Sequence, residues 1–110
     1  MKLSQLFTKT EKEAPKDEAS VNAQLLERGG YVYKNNSGIY SYLPLGWRVI
    51  GKISKIIREE IDSIGGQEMF MPALVDKRYV DATGRWDVEV AFEAKGKKED
   101  EARFTLGWTH

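Results

Sequence analysis

Residues 44–66 read PLGWRVIGKISKIIREEIDSIGG, and this stretch decides the fold. At about 100° per residue, Val49, Ile50, Ile53, Ile56, Ile57, Ile61 and Ile64 fall within an arc of roughly 140°, the width of a core-facing stripe. Pro44 opens the helix, because its fixed φ suits a first helical position, and Gly65 with Gly66 stops it. The spacing predicts an amphipathic helix over about residues 45–64. Arg48, Lys52, Lys55, Arg58, Glu59 and Asp62 lie outside the arc and form a solvated face.

Glu60 breaks this pattern. It projects near the middle of the apolar stripe, where an unpaired buried carboxylate costs several kcal/mol. Two readings stand: the last turn frays and lets Glu60 reach water, or the carboxylate finds a partner at an interface or a buried arginine. Glu59, Glu60 and Asp62 also sit at the negative end of the helix dipole, an unfavourable placement of about 0.3–1 kcal/mol each.

On the N-terminal side, residues 1–19 are polar and without a sustained period, an extended lead-in that Leu3, Leu6 and Phe7 pin to a surface. Ser20 is a helix N-cap for residues 21–28, where Val21, Leu25 and Leu26 share a side, and Gly29 with Gly30 ends that helix. Tyr31 to Tyr33 and Ile39 to Leu43, separated by Asn35, Asn36, Ser37 and Gly38, form a hairpin.

On the C-terminal side, residues 67–71 are expected to be a short strand that Pro72 ends at a sheet edge. Residues 73–82 are expected to be a brief helix. Val88, Val90 and Phe92 alternate with polar residues beyond Trp86, and a charged turn over 95–101 leads into 103–109, an antiparallel hairpin. Mixed helices and antiparallel strands give an α+β class. The last strand would leave an open sheet edge, so the expected fold is an incomplete one.

Composition restricts the chemistry. The 110 residues carry 17 Lys and Arg against 17 Asp and Glu, so no global field draws in polyanions and any RNA contact would depend on local patches. There is no cysteine, and His110 is the only histidine, which removes disulfides, thiolate nucleophiles and metal sites built from protein nitrogen or sulfur. The charged first twenty residues offer no signal-peptide core, and no apolar run approaches the roughly 20 residues of a membrane span, so a cytoplasmic chain with no membrane contact is expected. The remaining side chains suit reactions run by positioning and electrostatics.

Six blocks then stand in one order: LSQLF at 3–7, EAPKD at 13–17, GIYSYLPLGWR at 38–48, GGQEMFMPAL at 65–74, TGRWD at 83–87 and LGWTH at 106–110. In this order they resemble bacterial prolyl-tRNA synthetases over nearly the whole chain. The resemblance implies that residues 1–110 are the N-terminal part of a class II synthetase catalytic domain with an antiparallel sheet and a long motif 1 helix. Motif 1 would span about 38–74, and motif 2 would begin at about 104–110.

Motif 1 implies a homodimer interface, with Glu60, Gly66 and Pro72 within it, and pairing across that interface would give Glu60 a partner. The start of motif 2 implies that Thr109 holds the proline substrate through its hydroxyl and that His110 lies beside it; Trp108 replaces the proline usual in the family. Thr83 to Trp86 matches a block near the active-site mouth. Arg85 is therefore a candidate for contact with a phosphate or RNA, and the alternative of a cation–π pair with Trp86 stands beside it.

Proline, ATP with Mg²⁺ and tRNA(Pro) are the implied partners, no catalytic residue lies within these 110, and this piece alone would not aminoacylate. Two other classes fit: a non-catalytic RNA-binding or dimerisation module derived from the synthetase, and a fragment of a non-catalytic or proline-adenylating paralogue.

Overall fold

The structure, a computed structural model, describes residues 1–108. They form two compact units, residues 1–67 and residues 68 onward. Among the described residues no helix is long and apolar enough to cross a membrane.

In the first unit a short 3₁₀ turn (Leu3–Gln5) precedes helix α1 (Val21–Arg28), hairpin strands β1 (Val32–Asn36) and β2 (Ile39–Tyr42), and helix α2 (Pro44–Ser63). Both helices match their expected limits to within a residue. Ser20 caps α1 as expected, its hydroxyl accepting the Ala23 N–H at 3.3 Å. The lead-in is pinned by Leu6, which is buried, whereas Leu3 and Phe7 remain exposed. Its backbone reaches α1 through the Glu11 N–H, which donates to the Arg28 carbonyl at 2.9 Å.

Helix α1 ends in a Schellman cap: the Gly30 N–H bonds the Glu27 carbonyl and the Tyr31 N–H bonds the Leu26 carbonyl. The Tyr31 carbonyl then accepts the Leu43 N–H at 2.9 Å, which brings the start of α2 against the end of α1. Gly46, in the first turn of α2, is buried against the same carbonyl. A Cβ there would lie 2.1 Å from the Tyr31 oxygen, so no larger residue fits without moving the helix.

The β1–β2 register sets Lys34 opposite Tyr40, with a bulge between Lys34 and Asn36. Lys34 Nζ bonds Asp17 at 2.9 Å and Glu18 at 2.8 Å, and the Tyr40 hydroxyl donates to the same Glu18 oxygen at 2.8 Å. These contacts tie the lead-in to the hairpin. The Lys34 hydrogen bonds hold both carboxyls below their ordinary values, with Tyr40 helping at Glu18. Glu27, on α1, has a buried carboxyl oxygen with no hydrogen-bond partner, and its pKa is pushed up, first by burial and then by the neighbouring Glu18.

The α2 stripe departs from expectation. Val49, Ile53, Ile56, Ile57, Ile61 and Ile64 are all exposed, Ile64 to 80%, instead of facing a core. The helix stays intact to Ser63, so its last turn does not fray, and Glu60 reaches water because the stripe around it is uncovered. The helix closes on a second Schellman cap, with Gly65 at φ +86° and the Gly66 N–H on the Ile61 carbonyl at 3.0 Å.

The second unit contains β3 (Leu74–Asp76), α3 (Lys77–Ala82), β4 (Glu93–Ala94) and β5 (Phe104–Leu106) in an antiparallel sheet of order β3-β5-β4. The expected strand over 67–71 is not formed: these residues belong to no helix or strand, and Phe70 is fully exposed. Pro72 accordingly precedes a strand instead of ending one. The expected helix over 73–82 divides into β3 and α3 at Asp76, whose carboxylate accepts the Arg78 N–H at 2.8 Å and caps α3.

Of the strand expected after Trp86, only Glu93 and Ala94 form a ladder, and residues 86–87 and 89–90 are turns. The charged loop reverses the chain as expected. Glu99 accepts the Gly96 N–H at 2.9 Å and pairs with Arg103, and these contacts, the backbone bond first, lower its pKa.

Gly46→Ala should destabilise the protein by about 1–3 kcal/mol in denaturant unfolding, because its methyl group meets backbone. Gly51→Ala, with open space around its Cβ, should be neutral or add up to about 1 kcal/mol. For the lead-in, the lowered pKa values of Asp17 and Glu18 give stability that is present at neutral pH and lost as pH falls below about 4, while Glu27 acts in the opposite sense. Hydrogen-exchange protection of the Glu11 amide should therefore persist from neutral pH down to that range and then fall away. Lys34→Met should abolish it at pH 7.

Candidate functional site

The second unit carries a cavity of about 200 Å³ lined by Val75, Tyr79, Val80, Arg85, Thr105 and Trp108, among others. Its floor is set by strand pairing. β5 is bonded on both sides, with Thr105 opposite Val75 on β3 and Glu93 on β4, so Thr105 is the most buried residue of the sheet at 2% exposure. Its hydroxyl donates to the Phe92 carbonyl at 2.9 Å, and the Leu106 N–H reaches the same oxygen at 2.9 Å. The Gly107 N–H continues the pairing to the Ala73 carbonyl at 2.8 Å and carries the chain toward Trp108 at the rim.

The wall comes from α3. Val80 is buried behind it, and the helix ends as the other two do, with the Gly84 N–H on Asp81 and the Arg85 N–H on Val80 at 3.1 Å. This cap turns the chain sharply and delivers Arg85, exposed, to the cavity that Trp108 also lines. The ring of Trp86 takes a different cation: Lys77 Nζ lies 4.6 Å from its centroid. The packing alternative for Arg85 thus falls to Lys77, and a cationic guanidinium is left at the mouth of an apolar recess. Such a recess can orient a small, partly apolar ligand whose anionic group meets the guanidinium.

The other residues singled out in the sequence lie elsewhere. Glu60 is on the exposed face of α2, with its carbonyl accepting the Ser63 hydroxyl at 2.7 Å. Gly66 holds the α2 cap, where a Cβ would lie 2.3 Å from Ile61 Cγ2, so its lack of a side chain has a local cause. Pro72 is exposed two residues before β3. Thr109 and His110 lie outside the described residues. Thr105 and Tyr79 were missed by the sequence reading. The signal for Thr105 was present in its place midway along a short strand, two residues from Arg103 and Gly107, but a threonine in a strand is ordinarily structural. Among the described residues no group of three or more His, Asp or Glu is arranged to hold a metal ion.

No family model matches the chain. Curated relatives do. The chain is 47% identical over all 110 residues to the proline–tRNA ligase of Kosmotoga olearia. Over its whole length it is also 44% identical to the enzymes of the same name from Chlamydia abortus and Exiguobacterium sibiricum. In each case it spans 19% of the relative, so the similarity runs end to end for this chain and covers about a fifth of those proteins.

Thr105→Val should cost about 0.5–1.5 kcal/mol in chemical denaturation, because the Phe92 carbonyl keeps its bond from the Leu106 N–H. Arg85→Ala, which removes an exposed side chain, should leave the unfolding midpoint unchanged.

Proposed function

We propose that this chain, similar throughout its length to a segment of the proline–tRNA ligases, is part of a class II synthetase catalytic domain that activates proline and charges tRNA(Pro). The observation that carries this is the end-to-end match at 44–47% identity to three such ligases, with no part of the chain left out. The α+β architecture, with a long helix before an antiparallel sheet, is compatible with it.

The proposed chemistry has two transfers. A proline carboxylate oxygen attacks the α-phosphorus of ATP, forming an O–P bond as pyrophosphate leaves. A ribose hydroxyl at the tRNA 3′ end then attacks the prolyl carbonyl, and AMP leaves. Neither step needs a protein nucleophile, so the protein's part is alignment and charge neutralisation.

On this reading the cavity between α3 and β5 belongs to the substrate side of the domain. By resemblance Thr109 holds the proline, with His110 beside it in sequence, and Arg85 meets a phosphate of ATP or of the tRNA end. Mg²⁺ enters with ATP as part of the substrate, and no ligand for it is assigned among the described residues. The uncovered stripe of α2, together with Glu60, Gly66 and Pro72, is assigned to a homodimer interface. This assignment gives a use to apolar surface that is otherwise unfavourable in water. Cytoplasmic location follows from the proposed role in protein synthesis.

The test is proline-dependent ATP–pyrophosphate exchange by the product of the full reading frame. Exchange is expected, and Thr109→Val should raise KM for proline by about 10-fold or more through loss of a substrate hydrogen bond. Arg85→Ala should lower kcat/KM for ATP or tRNA by a similar factor, with KM for proline unchanged. A folded product without exchange would favour the non-catalytic module instead.

A further inference from the structure

We infer that the carboxyls of Glu18 and Glu27 act as an acid pair that takes up one proton when the lead-in docks on α1. Docking is then tightest in mild acid and loosens toward both lower and higher pH. The lead-in is a strap with two attachments. At the first, residues 9–11 lie on the end of α1: the Glu11 N–H bonds the Arg28 carbonyl at 2.9 Å, and a Cβ on Gly30 would stand 3.2 Å from the Lys9 carbonyl oxygen. At the second, residues 17–18 are held by side chains of the hairpin, and the Gln24 side-chain amide of α1 donates to the Glu18 carbonyl at 2.7 Å.

The charges at the second attachment do not balance. Asp17 and Glu18 from the lead-in and Glu27 from α1 share one ammonium, Lys34 of β1, with the Tyr40 hydroxyl of β2 as the other donor. Lys34 and Tyr40 are both committed to the lead-in, since Lys34 bonds Asp17 and Glu18, and Tyr40 bonds the same Glu18 oxygen. The Glu18 side chain is only 7% exposed. Glu27 follows Gln24 by three residues, on the side of α1 that meets Glu18, and presents a buried carboxyl oxygen that no donor reaches. Arg28, the next residue, does not supply one, and its own Nε is buried without a hydrogen-bond partner.

The Glu18 and Glu27 carboxyls stand within hydrogen-bonding reach of each other, but two ionised carboxylates are both acceptors. One proton turns the clash into a bond. A Glu27 O–H then donates to the Glu18 carboxylate, and one uncompensated negative charge leaves the cluster. Burial, and after it the Glu18 carboxylate, push the Glu27 carboxyl up, whereas hydrogen bonds from Lys34 hold Asp17 and Glu18 down. The Glu27 contribution to docking is therefore complete in acid and lost as pH rises through its raised value. Those of Asp17 and Glu18 are complete above the ordinary carboxylate range and lost as pH falls through their lowered values. The two limbs overlap at about pH 5.

The experiment is hydrogen exchange of the full-length protein read by mass spectrometry, following the peptide that contains Glu11 from about pH 3 to pH 8 with intrinsic exchange rates divided out. Wild-type protection should peak at about pH 5 and fall by about threefold or more by pH 8, while peptides of α2 keep theirs. Glu27→Gln carries a permanent donor toward Glu18, so its protection should stay level on the alkaline side and still fall in acid. Glu18→Gln, whose amide donates to an ionised Glu27, should level the same limb, and it serves if Glu27→Gln does not fold. Level wild-type protection across the alkaline side would overturn the acid pair, as would an alkaline fall that survives in either variant or that extends to α2.

Discussion

The carbonyl of Tyr31 is the point on which the first unit depends. Its own N–H closes the cap of α1, its oxygen accepts the Leu43 N–H that precedes α2, and Gly46 presses against it from the first turn of that helix. One peptide unit thus fixes where one helix stops and where the next begins, with the β1–β2 hairpin as the loop between. The approach is possible because Gly46 has no side chain. Its cost in helix propensity, about 1 kcal/mol relative to alanine, is accepted near the start of a long helix that can absorb it.

What was legible in the sequence was what local physics determines. α1 from Ser20 to Gly30, the β1–β2 hairpin and α2 could all be placed because caps, turn residues and periodicity act within a few residues of one another. The strands of the second unit were not. Residues 67–71 and 88–92 have strand composition, yet a strand also needs an edge to pair with, and the ladder partners of β5 are Leu74–Asp76 and Glu93–Ala94 instead. Alternation and a following proline record a preference for extended backbone but not the register that would satisfy it.

The candidate site was legible in part. Arg85 stood out in its block, and its cavity position follows from the α3 cap, which the glycine at 84 announces. That Trp86 would stack with Lys77 could not be read from neighbouring letters, because it requires the chain that leaves α3 to return beside the first residue of that helix. The substrate role proposed for Thr109 rests on resemblance alone. The error about the α2 stripe is instructive in the same way: periodicity shows that a face seeks cover, and it does not say which surface supplies it.

That uncovered face ties folding to mass action. Whatever covers the isoleucines of α2 binds the folded helix and not the unfolded chain, so it adds to stability by an amount set by its concentration relative to its dissociation constant. A partner present at 100 times its dissociation constant contributes about 2.7 kcal/mol. If the cover is another copy, the melting temperature becomes a function of protein concentration, and dilution alone loosens the helix. Substitutions on α2 would then have two effects that a single melting curve cannot separate: on the helix itself, and on the fraction of chains that have found their complement.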